Sequence, residues 1–171
     1  MGPVSASIEI DVSRQRAYEE LCDLSRRPGF TDHFISGLRL TRIDPDGVGA
    51  GARFRFGLPP RAMWVDTTIV ETSEPARIVE RGRGGRGNRI PTHTVWEVLE
   101  GPGPLITVRV AFWTEPGLVD RLIETLGGAA FWQERAWRET LRRLRDRLES
   151  DGQEAAPVAV AGGNPHATGI P

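Results

Sequence analysis

Few side chains in this sequence have the type and spacing that catalysis needs. The three histidines lie far apart, and the single cysteine leaves no spacing typical of a metal site. No G-x-S-x-G motif indicates a nucleophile elbow. Three polar residues remain as candidate catalytic groups: His33, Asp66 and Gln133. We expect no metal and no organic cofactor.

Each candidate has a different chemistry. His33 stands beside Asp32 near a predicted pocket entrance, where an imidazole could exchange protons. Asp66 would matter if its strand face pointed inward, since a carboxylate in an apolar cavity can act as an acid or a base. Gln133 lies on the apolar stripe of a predicted helix, where an unpaired amide is costly. Its amide therefore either bonds the backbone or fixes a polar group of a ligand.

The most conspicuous motif is "RGRGGRGNRIP", residues 81–91. Its glycines have the G-x-G-x-x-G spacing of dinucleotide-binding loops, but a strand pattern follows where a helix would have to receive the pyrophosphate. Its arginines resemble an RNA-binding arm, but the aromatic rings that stack on single strands are missing. The sequence favours a hairpin loop, in which glycine adopts positive φ and arginine keeps the loop solvated.

Length and composition indicate one soluble globular domain. The chain has 171 residues, of which 39% are hydrophobic and 26% charged. Its formal net charge of -1 gives no overall attraction for nucleic acid or an anionic membrane. No apolar run approaches the roughly 20 residues of a membrane span, and no signal-peptide pattern is present. We expect a cytoplasmic protein without nucleic-acid partner or membrane insertion, and the oligomeric state stays open.

Hydrophobic periodicity predicts a strand, two helical segments, six more strands and a long helix. Period-two alternation places the strands at 6–12, 38–44, 52–58, 63–72, 77–82, 92–100 and 105–113. The Pro- and Gly-rich connections between the later strands are too short for parallel crossovers, so the sheet is predicted to be antiparallel.

The helices are predicted from their capping and breaking residues. Ser13 is a good N-cap for a first helix, and a second helical turn covers 28–34. The last helix runs from Gly117 to about Ser150, with a break at the Gly-Gly pair 127–128. The folded domain is thus predicted over residues 1–150. The segment 151–171 has no aromatic residue and no periodicity, which predicts a disordered tail.

This order of elements resembles the α+β helix-grip fold of the START-like superfamily, in its polyketide cyclase/dehydrase branch. The likeness covers residues 4–150 and rests on five stretches: "VSRQRAYEELCDLSRRPGF", "DGVGAGARFRF", "TIVETSEPARIVER", "THTVWEVLEGPGPLITVRVAF" and "AWRETLRRLRDRLES". The chain departs from the family at its usual helix-two tryptophan, where Phe30 or Phe34 stands. The resemblance implies a seven-stranded antiparallel sheet that curves around a long C-terminal helix, with two short helices after the first strand.

The resemblance further implies an apolar cavity between sheet and helix that binds a small polyketide-, lipid- or steroid-like molecule. Strand alternation independently gives the sheet an uncharged face toward the helix. The candidate ligand-binding residues are Phe54, Phe56, Met63, Val65, Thr67, Thr94, Trp96, Val98, Val108, Val110, Phe112, Leu126, Ala130, Gln133 and Trp137. The same side chains could instead fill a solid core. The alternative function, a polyketide cyclase, aromatase or dehydratase, needs an acid–base group in the cavity.

Overall fold

A computed structural model describes residues 3–58, 61–115, 117, 129–150 and 159–160. Its main strands are β1 (Val4–Ile10), β2 (Ile35–Leu40), β3 (Gly51–Leu58), β4 (Arg61–Ser73), β5 (Arg77–Gly84), β6 (Ile90–Glu100) and β7 (Ile106–Thr114). They form one sheet in the order β1-β7-β6-β5-β4-β3-β2, and each of these neighbouring pairs is antiparallel. The predicted seven-stranded antiparallel sheet is confirmed.

In the part of the chain that the structure describes, three helices accompany the sheet. They are α1 (Arg14–Cys22), α2 (Pro28–Thr31) and α3 (Ala129–Glu149), and a 3-10 turn lies between the first two. The Ser13 side chain accepts a hydrogen bond from the backbone N–H of Arg16, as an N-cap should. The helix α2 ends at Thr31, and the predicted helical residues 32–34 form a turn instead.

The last helix packs one face against the rest of the domain, with β1 and α2 among its neighbours. Its buried residues recur every three or four positions: Ala129, Gln133, Ala136, Trp137, Thr140, Leu141, Leu144 and Leu148. This spacing is the signature of an amphipathic helix with a single buried stripe. Gly117, where the helix is predicted to begin, lies in no helix, and residues 118–128, which include the Gly-Gly pair, lie outside the described residues.

A short strand that the sequence does not predict extends the sheet. The strand β8 (Ala159–Val160) pairs in parallel with β2, opposite Arg39 and Leu40. It comes from the segment that is predicted to be a disordered tail, whose other residues lie outside the described part. A strand at a sheet edge offers unpaired backbone groups, which any extended peptide can satisfy. Two residues are too few to show a periodicity, so the sequence gives no signal for this pairing.

The glycine-rich stretch forms the end of β5 and the hairpin loop to β6. Gly85 and Gly87 adopt positive φ of 76° and 71°, as expected for hairpin glycines. Gly82 instead lies inside β5, where a Cβ atom would stand 2.5 Å from the backbone oxygen of Asp66 and 2.6 Å from Oγ1 of Thr92. In the G-x-G-x-x-G motif, Gly82 therefore permits the close approach of neighbouring strands and Gly87 belongs to the hairpin turn. A strand, and not a helix, follows the motif.

We expect Gly82→Ala to destabilise the protein, since its methyl group has no room between β4 and β6. The expected loss is about 1–3 kcal/mol in the free energy of unfolding, measured by urea denaturation. Gly57→Ala is the matched control in β3, because a Cβ atom there would stand 3.4 Å from its nearest neighbour. Equal losses for the two variants would contradict this account.

Candidate functional site

A small cavity lies between the inner face of the sheet and the helices. Its volume is about 30 Å³. Its apolar lining comprises Leu24, Ile35, Leu38, Ala52, Phe54, Phe56, Phe112 and Trp137, and its polar lining comprises Arg27, Thr31, Thr67, Glu80 and Thr94. A water molecule needs roughly 10–15 Å³ of such space, whereas a pocket for a drug-sized ligand has about 300–1,000 Å³. The interior as described has room for water and not for a larger ligand.

Four aromatic rings pack together beside this cavity, and three of them, Phe56, Phe112 and Trp137, line it; we call the four the aromatic cluster. Phe56 stacks on Phe112 with ring centroids 5.3 Å apart, and Phe112 lies 5.5 Å from Trp137. The ring of Phe34 meets Phe56 and Trp137 edge-on at 5.3 and 5.2 Å. Edge-to-face and offset contacts at these distances are favourable. The cluster joins β3, β7 and α3 to the turn before β2.

A buried ion pair supplies the charged side chains of the cavity lining. Nη2 of Arg27 lies 2.6 Å from Oε1 of Glu80, and both side chains are less than a tenth exposed. The same carboxylate oxygen accepts a hydrogen bond from Nε1 of Trp96 at 2.9 Å, and the guanidinium lies 4.8 Å from the centre of that indole. Arg27 also donates twice to the backbone oxygen of Leu21. A buried charge is tolerated only when its partners are this complete.

The second carboxylate oxygen of Glu80 is less fully bonded. Oε2 accepts from Oγ1 of Thr67 over 3.4 Å, which is long for a hydroxyl donor. Both residues border the cavity. The cavity lining therefore includes a carboxylate oxygen, Oε2 of Glu80, that can accept a further hydrogen bond.

Sequence reasoning missed both members of this ion pair. A signal for Glu80 was present, because it stands two residues after Ile78 on the same strand face, and Ile78 is fully buried. Because a carboxylate normally stays in contact with water, the uncharged inner face that the sequence predicts does not include Glu80. Arg27 lies in the turn between two helical segments, where no periodicity indicates its direction.

The structure brings six of the candidate ligand-binding residues together around the cavity: Phe54, Phe56, Thr67, Thr94, Phe112 and Trp137. Five others are buried away from it: Val65, Trp96, Val98, Val108 and Val110. Met63 is partly buried against the core, and Gln133 is buried on α3. Leu126 lies outside the described residues. The inner face is thus partly cavity wall and partly solid core.

Ala130 departs from its predicted position on the inner face. It is exposed, in the first turn of α3 as the structure describes it. The buried stripe passes through Ala129 and Gln133, which turns the intervening Ala130 toward solvent. The sequence predicts Ala130 and Leu126, four residues apart, on the same buried face of the helix. In the described helix Ala130 does not lie on the buried face.

The three candidate catalytic residues do not border the interior cavity. Asp66 points away from it, with its carboxylate 3.7 Å from Arg53 and in a 2.7 Å hydrogen bond with the amide of Asn88. This is the outward direction that the alternation of β4 favours, since its neighbours Val65 and Thr67 are buried. Gln133 is placed on the buried face of α3, so both of its predicted roles stay open.

His33 is half-buried in the turn after α2. Its Nε2 lies 3.0 Å from the backbone oxygen of Ala136, so this nitrogen donates, while Nδ1 is buried without a hydrogen-bond partner among the residues that the structure describes. Burial of the ring, and then the nearby Arg143 charge, lower the pKa of His33 despite the opposing bond to Ala136. The imidazole is therefore kept neutral more readily than an exposed one.

A surface groove of about 580 Å³ opens beside the first turns of α3. His33 and Phe34 line it together with two exposed aromatic side chains, Phe131 and Trp132. Phe34 also contacts Phe56 and Trp137, which border the interior cavity. Phe34 thus lines the groove and contacts two of the side chains that line the cavity.

Two further findings concern the described part of the chain. No three His, Cys, Asp or Glu side chains there are grouped so that they could hold a metal ion. None of its helices has the length and apolarity that a membrane crossing requires.

No family model and no curated protein matches the sequence, but solved structures match the fold. The solution structure of KanY is 19% identical with a TM-score of 0.67, over 87% of this chain and 99% of KanY. A START superfamily protein from Mycobacterium smegmatis is 14% identical with a TM-score of 0.61, over 88% of this chain and 99% of that protein. Likeness at this level of identity shows a shared fold.

A third solved structure covers a longer protein. DynU16, a putative protein in the dynemicin biosynthetic locus, is 19% identical with a TM-score of 0.58. The match covers 89% of this chain and 49% of DynU16, so the chain spans about half the length of that protein.

We expect the buried ion pair to show strong energetic coupling. Glu80→Leu leaves the guanidinium of Arg27 buried without its carboxylate, which should cost about 3–5 kcal/mol of unfolding free energy. The double variant with Arg27→Met should lose at least about 1 kcal/mol less than the sum of the single losses, measured by urea denaturation.

The exposed pair of Arg77 and Glu71, 3.1 Å apart, provides the control. Glu71→Ala should cost less than about 1 kcal/mol, since solvent screens that pair. Additive losses at Arg27 and Glu80 would show that the two side chains do not act as a unit.

Proposed function

We propose that this protein, which has the START-like helix-grip fold, binds a small hydrophobic molecule between the sheet and α3. The observation that carries the proposal is one cavity whose lining combines aromatic rings with the pair of Arg27 and Glu80. Ligand sites commonly combine an apolar lining with a few fixed polar groups. A polyketide-, lipid- or steroid-like molecule with a polar end matches this combination.

Binding such a molecule requires the interior to open, because the cavity of about 30 Å³ admits only water. The groove of about 580 Å³ lies on the other side of Phe34. A rotation of that ring would join the groove to the cavity without disturbing the sheet. We therefore assign Phe34 as the side chain that a ligand displaces on its way inward.

The proposal needs no nucleic-acid partner and no insertion into a membrane. We also propose that the protein acts in the cytoplasm. The single cysteine, Cys22, is a buried free thiol, which suits a reducing compartment.

A second candidate function is a polyketide cyclase, aromatase or dehydratase. It is favoured by the carboxylate of Glu80 at the cavity, where a substrate could approach Oε2, and by the likeness to a protein of the dynemicin biosynthetic locus. In this candidate Glu80 replaces Asp66 and His33 as the proton acceptor, since neither of those borders the cavity. The two candidates differ in that only the enzyme needs turnover that depends on Glu80.

We expect the protein to take up the neutral apolar dye Nile red with an increase in fluorescence. Ala52→Leu fills the cavity from β3, where Ala52 is almost fully buried, and should weaken uptake about tenfold or more. Phe131→Ser removes an exposed ring of the groove and should leave equilibrium uptake nearly unchanged. Binding in the groove alone would give the reverse pattern, and no uptake by the parent protein would overturn the proposed function.

We expect Phe34→Leu to speed the uptake of the same dye by an order of magnitude, measured by stopped-flow fluorescence, because a smaller side chain separates groove and cavity. Phe30→Leu is the control, since Phe30 is buried nearby but borders neither space. Equal association rates for the two variants would remove Phe34 from the route.

A further inference from the structure

The indole N–H of Trp137 is an unsatisfied donor at the cavity. Trp137 is 3% exposed and borders the cavity, and its Nε1 atom is buried without a hydrogen-bond partner among the described residues. A buried indole N–H normally finds a partner, and one left unpaired costs about 1–3 kcal/mol. Trp96 shows the usual situation, with its Nε1 bonded to Glu80 at 2.9 Å.

The surroundings of Trp137 explain why the protein itself leaves this donor unpaired. Its ring neighbours are Phe34, Trp96 and Phe112, at centroid distances of 5.2, 5.7 and 5.5 Å. Aromatic rings supply packing but no lone pair of the kind that a carbonyl or hydroxyl offers. A molecule that enters the cavity can supply the acceptor that these rings lack.

The charges at the cavity decide what kind of acceptor fits. The positive charge of Arg27 and the negative charge of Glu80 already neutralise each other at 2.6 Å. A charged ligand would bring a further buried charge without a counterion, which is strongly unfavourable. An uncharged oxygen adds a hydrogen bond without this cost.

We propose that Trp137 Nε1 donates a hydrogen bond to an uncharged oxygen, a carbonyl or hydroxyl, of the hydrophobic ligand. This inference rests on the proposed function and adds the polar group by which the ligand is recognised. A ligand oxygen satisfies this donor, whereas a pure hydrocarbon leaves it unpaired.

The test compares 1-tetralone with tetralin, two bicyclic probes of similar shape that differ in one carbonyl group. Each probe displaces Nile red from the parent protein, from Trp137→Phe and from Trp132→Phe. We expect the parent protein to bind the ketone about tenfold more tightly than the hydrocarbon, equivalent to about 1.4 kcal/mol. Trp137→Phe keeps an aromatic ring but lacks the donor, so its preference should fall within about twofold. Trp132→Phe, at an exposed indole, should retain the full preference.

A second measurement serves if Trp137→Phe folds poorly. The five indole N–H groups of the parent protein are observed by ¹⁵N-resolved NMR. The Trp137 signal should move downfield when 1-tetralone is added and should not do so with tetralin.

The outcomes separate the two proposals. A parent protein that takes up the dye but shows no ketone preference, or a Trp137→Phe variant that keeps it, overturns the assignment of the donor and leaves ligand binding intact. An unmoved Trp137 signal in saturating 1-tetralone does the same. A parent protein that takes up no dye overturns the proposed function and this inference with it.

Discussion

The buried ion pair of Arg27 and Glu80 is the constraint on which the arrangement of the interior depends. Glu80 lies in β5, in the middle of the sheet, and Arg27 lies in the turn between α1 and α2. An isolated charge at either position would strongly destabilise the folded protein. The turn must therefore stay where the guanidinium reaches the carboxylate. The two bonds from Arg27 to the backbone of Leu21 fix the guanidinium to the end of α1 as well. The need to pair these two buried charges thereby holds the turn between α1 and α2 against the sheet and places both charged groups in the cavity lining.

The aromatic cluster opposes any opening of that cavity. Phe34, Phe56, Phe112 and Trp137 contact one another at 5.2–5.5 Å and leave little space between them. Such contacts are individually modest but together favour the closed interior. A ligand must therefore replace the ring contacts that it displaces, and a molecule with its own flat apolar surface does so best. Moving Phe34 requires the least free energy of the four, because Phe34 already lines the groove.

The fold could be predicted from the sequence because seven separate segments carry a period of two and are joined by unmistakable turn residues. That signal is local, repeated and insensitive to single errors. The site could be predicted only in part, since its decisive residues violate the rule that was used to find it. Glu80 faces inward against the preference of a carboxylate for water, and only its partner Arg27, 53 positions away in the chain, makes that possible. Asp66 followed the rule and faces outward beside Arg53. Strand alternation assigns a face to each residue, but it contains no information about which distant charge compensates it.

The two buried tryptophans differ in their hydrogen bonding, and this difference leaves the cavity lining with an uncharged donor. Their rings meet almost at right angles, 5.7 Å apart, yet Trp96 has an acceptor in Glu80, whereas Trp137 has none within the described part of the chain. Because the pair of Arg27 and Glu80 neutralises itself, this space offers no counterion to a charged ligand, and it distinguishes neutral ligands from one another by hydrogen bonding. An indole donor beside apolar rings rejects a hydrocarbon only mildly, by the bond that it fails to make, and rejects an anion far more severely, by its lost hydration. The ligand that we propose is therefore expected to be neutral, oxygenated and largely apolar, and neither a fatty hydrocarbon nor an acid.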